Sequence, residues 1–555
     1  MPRLCRGFEH NRHMNDLPHD GPPPAPDLRR RAFARLLVCA PIGLPLLGAC
    51  NNSSSSPAPV PTPPPPTLPP GPPVSGPPWP GYARDAQHSA LGTVATQTFN
   101  QIRWRTPVDL APQYSGSELL IHYGSPAIST HNTVIVPVKT GASDGFRLEA
   151  RLGSNGILLW SVDSDYVLPQ HDWVPTFSAC ITAANRMYAP RSGGRLMFCD
   201  DVDTVPTSFP IAVFYGEATY ATNPAKFDNA IRINTPLTAD AAGNVFFGFV
   251  AMGANPAGLV SGIARVAPDG TGTWVGAAAA ASDPAIGQVA MNSAPALSTD
   301  GATLYVAVNT PLGAAAIQSG HLLALNSTTL ATTGKVALID PLSGTPAWID
   351  DDATSSPTVG PDGDVYFGVL EANAPAHNYR GWLLHFNATL DVVKTPGSFG
   401  WDDTASIVPK TMVPSYTGPS AYLIATKYNN YAGAGTGDGL NRIAVLDPNQ
   451  SQPDTISAIP VMRELLSKLC PTPDPDFMGG VKEWCINTAA VDPLTNSILA
   501  NCEDGRLYRW NVALDQFTES IALTSGVGES YTPTVIGPDG AVYAINNAVL
   551  FSIGL

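Results

Sequence analysis

One phrase recurs eight times along the chain: a small residue, often followed by proline, opens a short apolar run, then comes an Asp/Asn-Gly type turn and a β-branched and aromatic run. The copies read SPAISTHNTVIVPV from Ser125, SACITAANRMYAPR from Ser178, TPLTADAAGNVFFGF from Thr235 and APALSTDGATLYVAV from Ala294. They continue as SPTVGPDGDVYFGV from Ser356, VPSYTGPSAYLIAT from Val413, TAAVDPLTNSILANC from Thr488 and TPTVIGPDGAVYAIN from Thr532. A strand–turn–strand signature returning every 45 to 75 residues describes a radial all-β array. The residues after each copy complete a four-stranded unit, as in GHLLALNSTT and GKVALID after YVAV, or RLYRWNVAL and FTESIAL after LANCEDG. One such sheet cannot bury both faces, whereas neighbours stacked around an axis can. The expected fold is all-β: an eight-bladed β-propeller of four-stranded blades.

Ring closure is written into the ends of the array. Ala548–Gly554 reads as the third strand of the eighth unit, while QIRWRTPV (Gln101–Val108) reads as a fourth strand with no preceding three. Joining them completes the last blade and hides two sheet edges. A seven-bladed ring is the alternative, because the sixth copy matches least well and a long insertion comes after it.

Residues 1–50 have the composition of a targeting segment. RRRAFAR (Arg29–Arg35) precedes an apolar run, Leu36–Leu47, and then Leu-Gly-Ala-Cys ending at Cys50. A basic start, a short apolar stretch and small residues before cysteine resemble a bacterial lipoprotein signal, with Cys50 as the acylated residue. Arg30-Arg31 also suits a twin-arginine signal, and an ordinary basic signal is the equal rival. Met14 competes with Met1 as the start. Residues 51–80 form a Ser- and Pro-rich tether, which at about 3.1 Å per residue would reach on the order of 90 Å. Asn51 after the cysteine is compatible with outer-membrane delivery, and the expected location is the cell envelope. Residues 81–555 are then the propeller.

A net charge of -15 with 14 % charged residues argues against nucleic acid as a partner. The cysteines suit an oxidising compartment. Cys180 with Cys199, in neighbouring strands of the second unit, and Cys470 with Cys485, flanking the insertion, are the expected disulfide pairs; Cys485 with Cys502 is the rival.

In a propeller the loops entering the inner strands shape one rim of the central channel. Here those loops carry polar and aromatic residues: His171, Asp172 and Trp173; Arg232; Asn292; Glu483 and Trp484; Glu529 and Tyr531. Convergent polar groups at a channel mouth are a ligand-site expectation, and wet strand caps are the plainer reading. Asp351 and Asp352, with Asp403 one unit further, offer the oxygen ligands that Ca²⁺ takes. Lys427–Gly439 is a Gly-rich loop on the same side. No Gly-x-Ser-x-Gly elbow, His-Glu-x-x-His or phosphate-loop signature occurs.

Trp79–His88 (WPGYARDAQH) resembles the W-x-x-x-x-R-D-x-x-H opening of bacterial propellers with pyrroloquinoline quinone-type repeats, and Phe146–Val162 and Gly320–Thr332 are similar to their repeat element. The resemblance covers most of residues 79–555 and implies the fold. Its members include quinone-dependent alcohol dehydrogenases and a lipoprotein propeller of the outer-membrane β-barrel assembly machinery. The dehydrogenases' vicinal Cys-Cys pair and a Cys-x-x-Cys-His haem motif are both absent, so the quinone does not carry over with the scaffold. The functional expectation is a lipid-anchored, monomeric binding or scaffold module for an envelope protein, small molecule or glycan. The alternatives are a quinone-dependent oxidoreductase and, behind it, a polysaccharide-acting hydrolase or lyase.

Overall fold

The computed structural model describes residues 74–555 except 116, 117, 120–123, 143, 172, 173, 176, 315, 316, 351–354 and 527–532. Eight antiparallel sheets succeed one another around an axis, giving the eight-bladed ring rather than the seven-bladed one. Blade 1 runs from an inner strand Ala127–Ile128 through Thr133–Lys139 and Asp144–Leu152 to an outer strand Leu158–Val167. The inner strands of blades 2 to 8 are Cys180–Ile181, Thr238–Ala239, Ala296–Leu297, Thr358–Val359, Ser406–Pro409, Ala490–Asp492 and Val535–Ile536. In blade 5 the fourth position is held by isolated bridges, Leu383 to Gly397 and Phe386 to Val393.

Burial tracks position along each blade. Second strands such as Thr133–Lys139 and Val365–Val369 are buried throughout, because a neighbouring blade covers each face. Such strands read as continuous apolar runs. Outer strands such as Gln516–Ala522 alternate exposed and half-buried residues, since one face meets solvent. Tyr508 and Trp510 lie on one face of blade 7's third strand and are both buried. Trp484 packs edge-on against Tyr508 at 5.5 Å.

The ring closes as the termini of the array required. Gln101–Pro107 pairs antiparallel with Val549–Gly554, with Gln101 opposite Gly554, Arg105 opposite Phe551 and Pro107 opposite Val549. Trp104 carries this clasp into blade 1: its indole N–H donates to Gly153 O at 2.8 Å, and its ring lies 5.7 Å from Tyr543.

Residues 76–97 form a strap across the inner strands, and this strap lay outside the repeat logic. Trp79 exchanges two backbone bonds with Ile128 of blade 1, and Pro80 O accepts from Ile181 of blade 2. Ala86 O, Gln87 O and Ser89 O accept from Leu297, Val359 and Ile407 of blades 4, 5 and 6. Ala90 and Gly92 bond Val491 of blade 7, and Gln97 N donates to Gly540 O of blade 8. Blade 3 meets the strap at Thr238, whose hydroxyl is 3.5 Å from His88 Nε2. Ala83, Arg84, His88 and Ala90 take positive φ to make the strap's bends, a strained choice for residues with a Cβ.

The structure corrects four expectations. The tether boundary at residue 80 is too late, since Gly76 and Trp79 already bond blade 1 and Trp79 is buried. Blade 6's inner strand is Ser406–Pro409, and the copy from Val413 opens in the turn after it and ends in the second strand, Tyr422–Lys427. Cys180 and Cys199 lie on blade 2's first and third strands with Met187–Pro190 between them, so they do not pair. Cys470 approaches Cys502 rather than Cys485, whose sulfur donates to Glu503 Oε1 at 3.3 Å.

Candidate functional site

The densest buried set of ionisable side chains gathers where the chain enters the inner strands of blades 6 and 7. Asp402 and Asp403 precede Ser406–Pro409, while Lys427 ends blade 6's second strand, Tyr422–Lys427. Glu483, Cys485 and Asn487 precede Ala490–Asp492, and Glu503 sits in the turn after Ser497–Asn501. All but Glu503 are buried.

The network joins the two blades. Lys427 Nζ donates to Asp402 Oδ1, and the Thr426 hydroxyl donates to Asp403 Oδ2. Thr404 N donates to Asn487 O at 2.8 Å. Asn429 clamps Trp484 by accepting from its backbone N–H at 3.3 Å and donating to its carbonyl at 3.1 Å. Glu503 N donates to Glu483 O at 3.0 Å.

Burial decides the protonation here. Loss of water raises Asp402 to about 6, against the opposing pull of Lys427. Asp403 rises to about 7 for the same first reason, with Asp402's charge adding to it. Lys427 is itself held above its usual value by the two carboxylates, which outweigh its own desolvation. The consistent state near neutrality is an ion pair, Asp402 with Lys427, beside a protonated Asp403. Among the described residues the Oδ1 of Asp403 has no hydrogen-bond partner, and Asp403 lines a gap of about 10 Å³ between the blades, room for about one water.

From the strap, Tyr82 reaches this cluster. Its hydroxyl bonds Thr404 Oγ1 at 2.8 Å and donates to Asn487 Oδ1. His88 is wholly buried beside it, ring to ring at 5.1 Å, and bonds Pro357 O through Nδ1 at 2.8 Å. Desolvation lowers His88 to about 4, so it is neutral. Two strap side chains are therefore buried between blades 3, 5, 6 and 7.

The residues expected at the rim have different fates. Glu483 belongs to the cluster. Asn292 is buried in left-handed backbone, its N–H donating to Asn234 O at 3.0 Å. His171 is half-buried with Nδ1 bonded to Pro169 O at 2.7 Å. Arg232 is turned inward onto the carbonyls of Asp228 and Ile231, and Trp484 is inter-blade core with no exposed face to stack on a ligand. Asp172, Trp173, Asp351, Asp352, Glu529, Tyr531 and Cys50 lie outside the described residues. The repeat pattern assigns no site role to Lys427, Asn487, Tyr82 or His88; a lysine ending the apolar run YLIATK is the available signal for the first.

Two groups of side chains among the described residues are close enough to share a metal ion: Glu483, Cys485 and Glu503, and Cys470, Cys502 and Asp504. Asp403 is in neither. A quinone bearing several carboxylates needs cations around it, and the cluster's cation, Lys427, is already paired to Asp402 in acidic surroundings.

No protein-family model matches the sequence, and no curated protein does. Among solved structures, a europium-containing methanol dehydrogenase is 10 % identical over 84 % of this chain and 89 % of its own, with a TM-score of 0.52. BamB from Moraxella catarrhalis is 12 % identical over 83 % of this chain and 100 % of its own, with a TM-score of 0.44. The first of these agrees with the fold, an eight-bladed β-propeller. At such identity the likeness concerns architecture alone.

Proposed function

We propose that the chain is a lipid-anchored cell-envelope propeller that binds a partner through the channel rim at blades 6 and 7. One observation carries the reading: the strap's Tyr82 bonds Thr404 and Asn487 beside the polar network of Asp402, Lys427 and Glu483, which ties the loops entering blades 6 and 7 into one rigid unit. Charge held in a buried, blade-bridging network suits a rigid recognition surface more than turnover, and the missing vicinal cysteines and committed Lys427 argue against a quinone. Cys50 and the proline-dense residues 51–73 supply the anchor and reach. No helix of the described residues is long and apolar enough to cross a membrane.

The test has two arms. Purified protein mixed with pyrroloquinoline quinone and Ca²⁺ is expected to retain no chromophore on gel filtration and to reduce no dye with alcohols; stoichiometric chromophore with dye reduction would replace this reading by the oxidoreductase. Cys50→Ala is expected to move the protein from the membrane to the soluble fraction, and unchanged membrane association would remove the anchor.

A further inference from the structure

We propose that Cys470 and Cys502 form a disulfide that staples the outer strand of blade 6 to the middle of blade 7. Cys470 comes directly after Pro460–Leu469 and Cys502 directly after Ser497–Asn501, in two different sheets. Their Sγ atoms lie 2.7 Å apart, and both residues are buried. Each backbone is already fixed: Cys470 N donates to Asn441 O and Cys502 N to Arg506 O, both at 3.0 Å. At that separation the two sulfurs stand closer than non-bonded sulfurs pack, and a small shift of the side chains brings them to bonding distance.

A shared metal is the competing use of this pair, with Asp504 as third ligand. The Asp504 carboxylate is committed elsewhere. Its Oδ2 accepts from the Thr472 hydroxyl at 2.6 Å and the Tyr508 hydroxyl at 2.5 Å, and its Oδ1 accepts from Arg506 N at 3.0 Å. Two sulfurs on one tetrahedral Zn²⁺, each about 2.3 Å from it, would also stand roughly 3.8 Å apart. The observed separation is well inside that.

The bond would be made by exchange with a small-molecule or protein disulfide as oxidant. One cysteine thiolate attacks the donor disulfide and expels a donor thiol; the second attacks the resulting mixed disulfide and expels the other. Two electrons and two protons pass to the donor, and one S–S bond forms in the protein. Burial raises the Cys502 thiol well above its usual range, so the exchange belongs to folding and the finished bridge is shielded. The staple would close the loop Pro471–Asn501, and Glu483 within that loop belongs to the acidic cluster; Cys502 Sγ lies 3.3 Å from Glu483 O. It would thus hold one wall of the candidate site, wherever in the cell the chain resides.

Peptide mapping of the full chain, reduced, unfolded and refolded with glutathione disulfide, tests this. Trypsin leaves Cys470 on Leu469–Lys482 and both Cys485 and Cys502 on Glu483–Arg506, so the Cys485→Ser variant makes the assignment unique. In that variant the two peptides are expected as one linked species, two hydrogens lighter than their sum and separable by reductant. Cys502→Ser should abolish the species in either background. Quantitative alkylation of both thiols after refolding in Cys485→Ser, or one equivalent of bound zinc lost in Cys470→Ser with both thiols reduced, would overturn the staple.

Discussion

Replacing Asp403 by asparagine should make the protein less sensitive to rising pH. In the folded state this carboxyl is raised from 3.8 to about 7, chiefly by burial. Between those values the folded chain holds a proton that the unfolded chain releases, so stability falls as pH rises. Below pH 4 both states are protonated and the group costs nothing; above pH 7 the cost is complete. About three units at 1.36 kcal/mol each give on the order of 4 kcal/mol. Asparagine copies the protonated acid: its carbonyl can accept from Thr426, and its amide replaces the unpartnered Oδ1. Urea unfolding followed by tryptophan fluorescence at pH 4, 6 and 8, at one ionic strength, supplies the test. Wild type and Asp403→Asn should agree within about 1 kcal/mol at pH 4, with the variant ahead by about 4 kcal/mol at pH 8. Asp402→Asn is the contrast. It strips Lys427 of its ion-pair partner, and breaking a buried pair costs about 3–5 kcal/mol, so this variant should be less stable than wild type at pH 8. Parallel pH curves for wild type and Asp403→Asn would refute the assignment of the proton to Asp403.

Two further perturbations address the hub and the clasp. Trp104→Ala removes a ring packed against Tyr543 and a bond to Gly153, and should cost about 3–5 kcal/mol in urea unfolding; a loss under about 1 kcal/mol would show that closure does not depend on it. Trp79→Ala should loosen the strap, read as faster tryptic cleavage after Arg84 in otherwise native protein; an unchanged rate would mean the strap is held by its backbone bonds alone.

The blades were legible because each repeats the same alternation of turn chemistry and burial. Asp504-Gly505 turns between blade 7's strands with Gly505 at φ +80°, as a hairpin asks of that position. The clasp was legible because an orphan fourth strand and a missing one were both visible in the pattern. Blade 6 slipped by seven residues because a 3₁₀ turn, Lys410–Met412, separates its inner strand from the polar loop that imitated the repeat phrase. The site was legible only at the level of which loops reach the rim. Whether a side chain there faces the channel or the neighbouring blade depends on blade-to-blade packing, which is why Glu483 joined a polar network while Trp484, one residue on, became core.

The strap gives that division a physical basis. Inner strands of two to four residues leave their hub-facing edges unpaired, and an unpaired edge is costly when buried. A peptide passing around the hub can meet those groups only by bending at almost every blade, which accounts for four non-glycine residues at positive φ between Ala83 and Ala90. Of its side chains, Tyr82 and His88 are buried among the blades, while Arg84, Asp85 and Gln87 stay half-buried. The chain that follows supplies Gln101–Pro107 to the last blade, so one stretch both lines the inner strands and closes the ring.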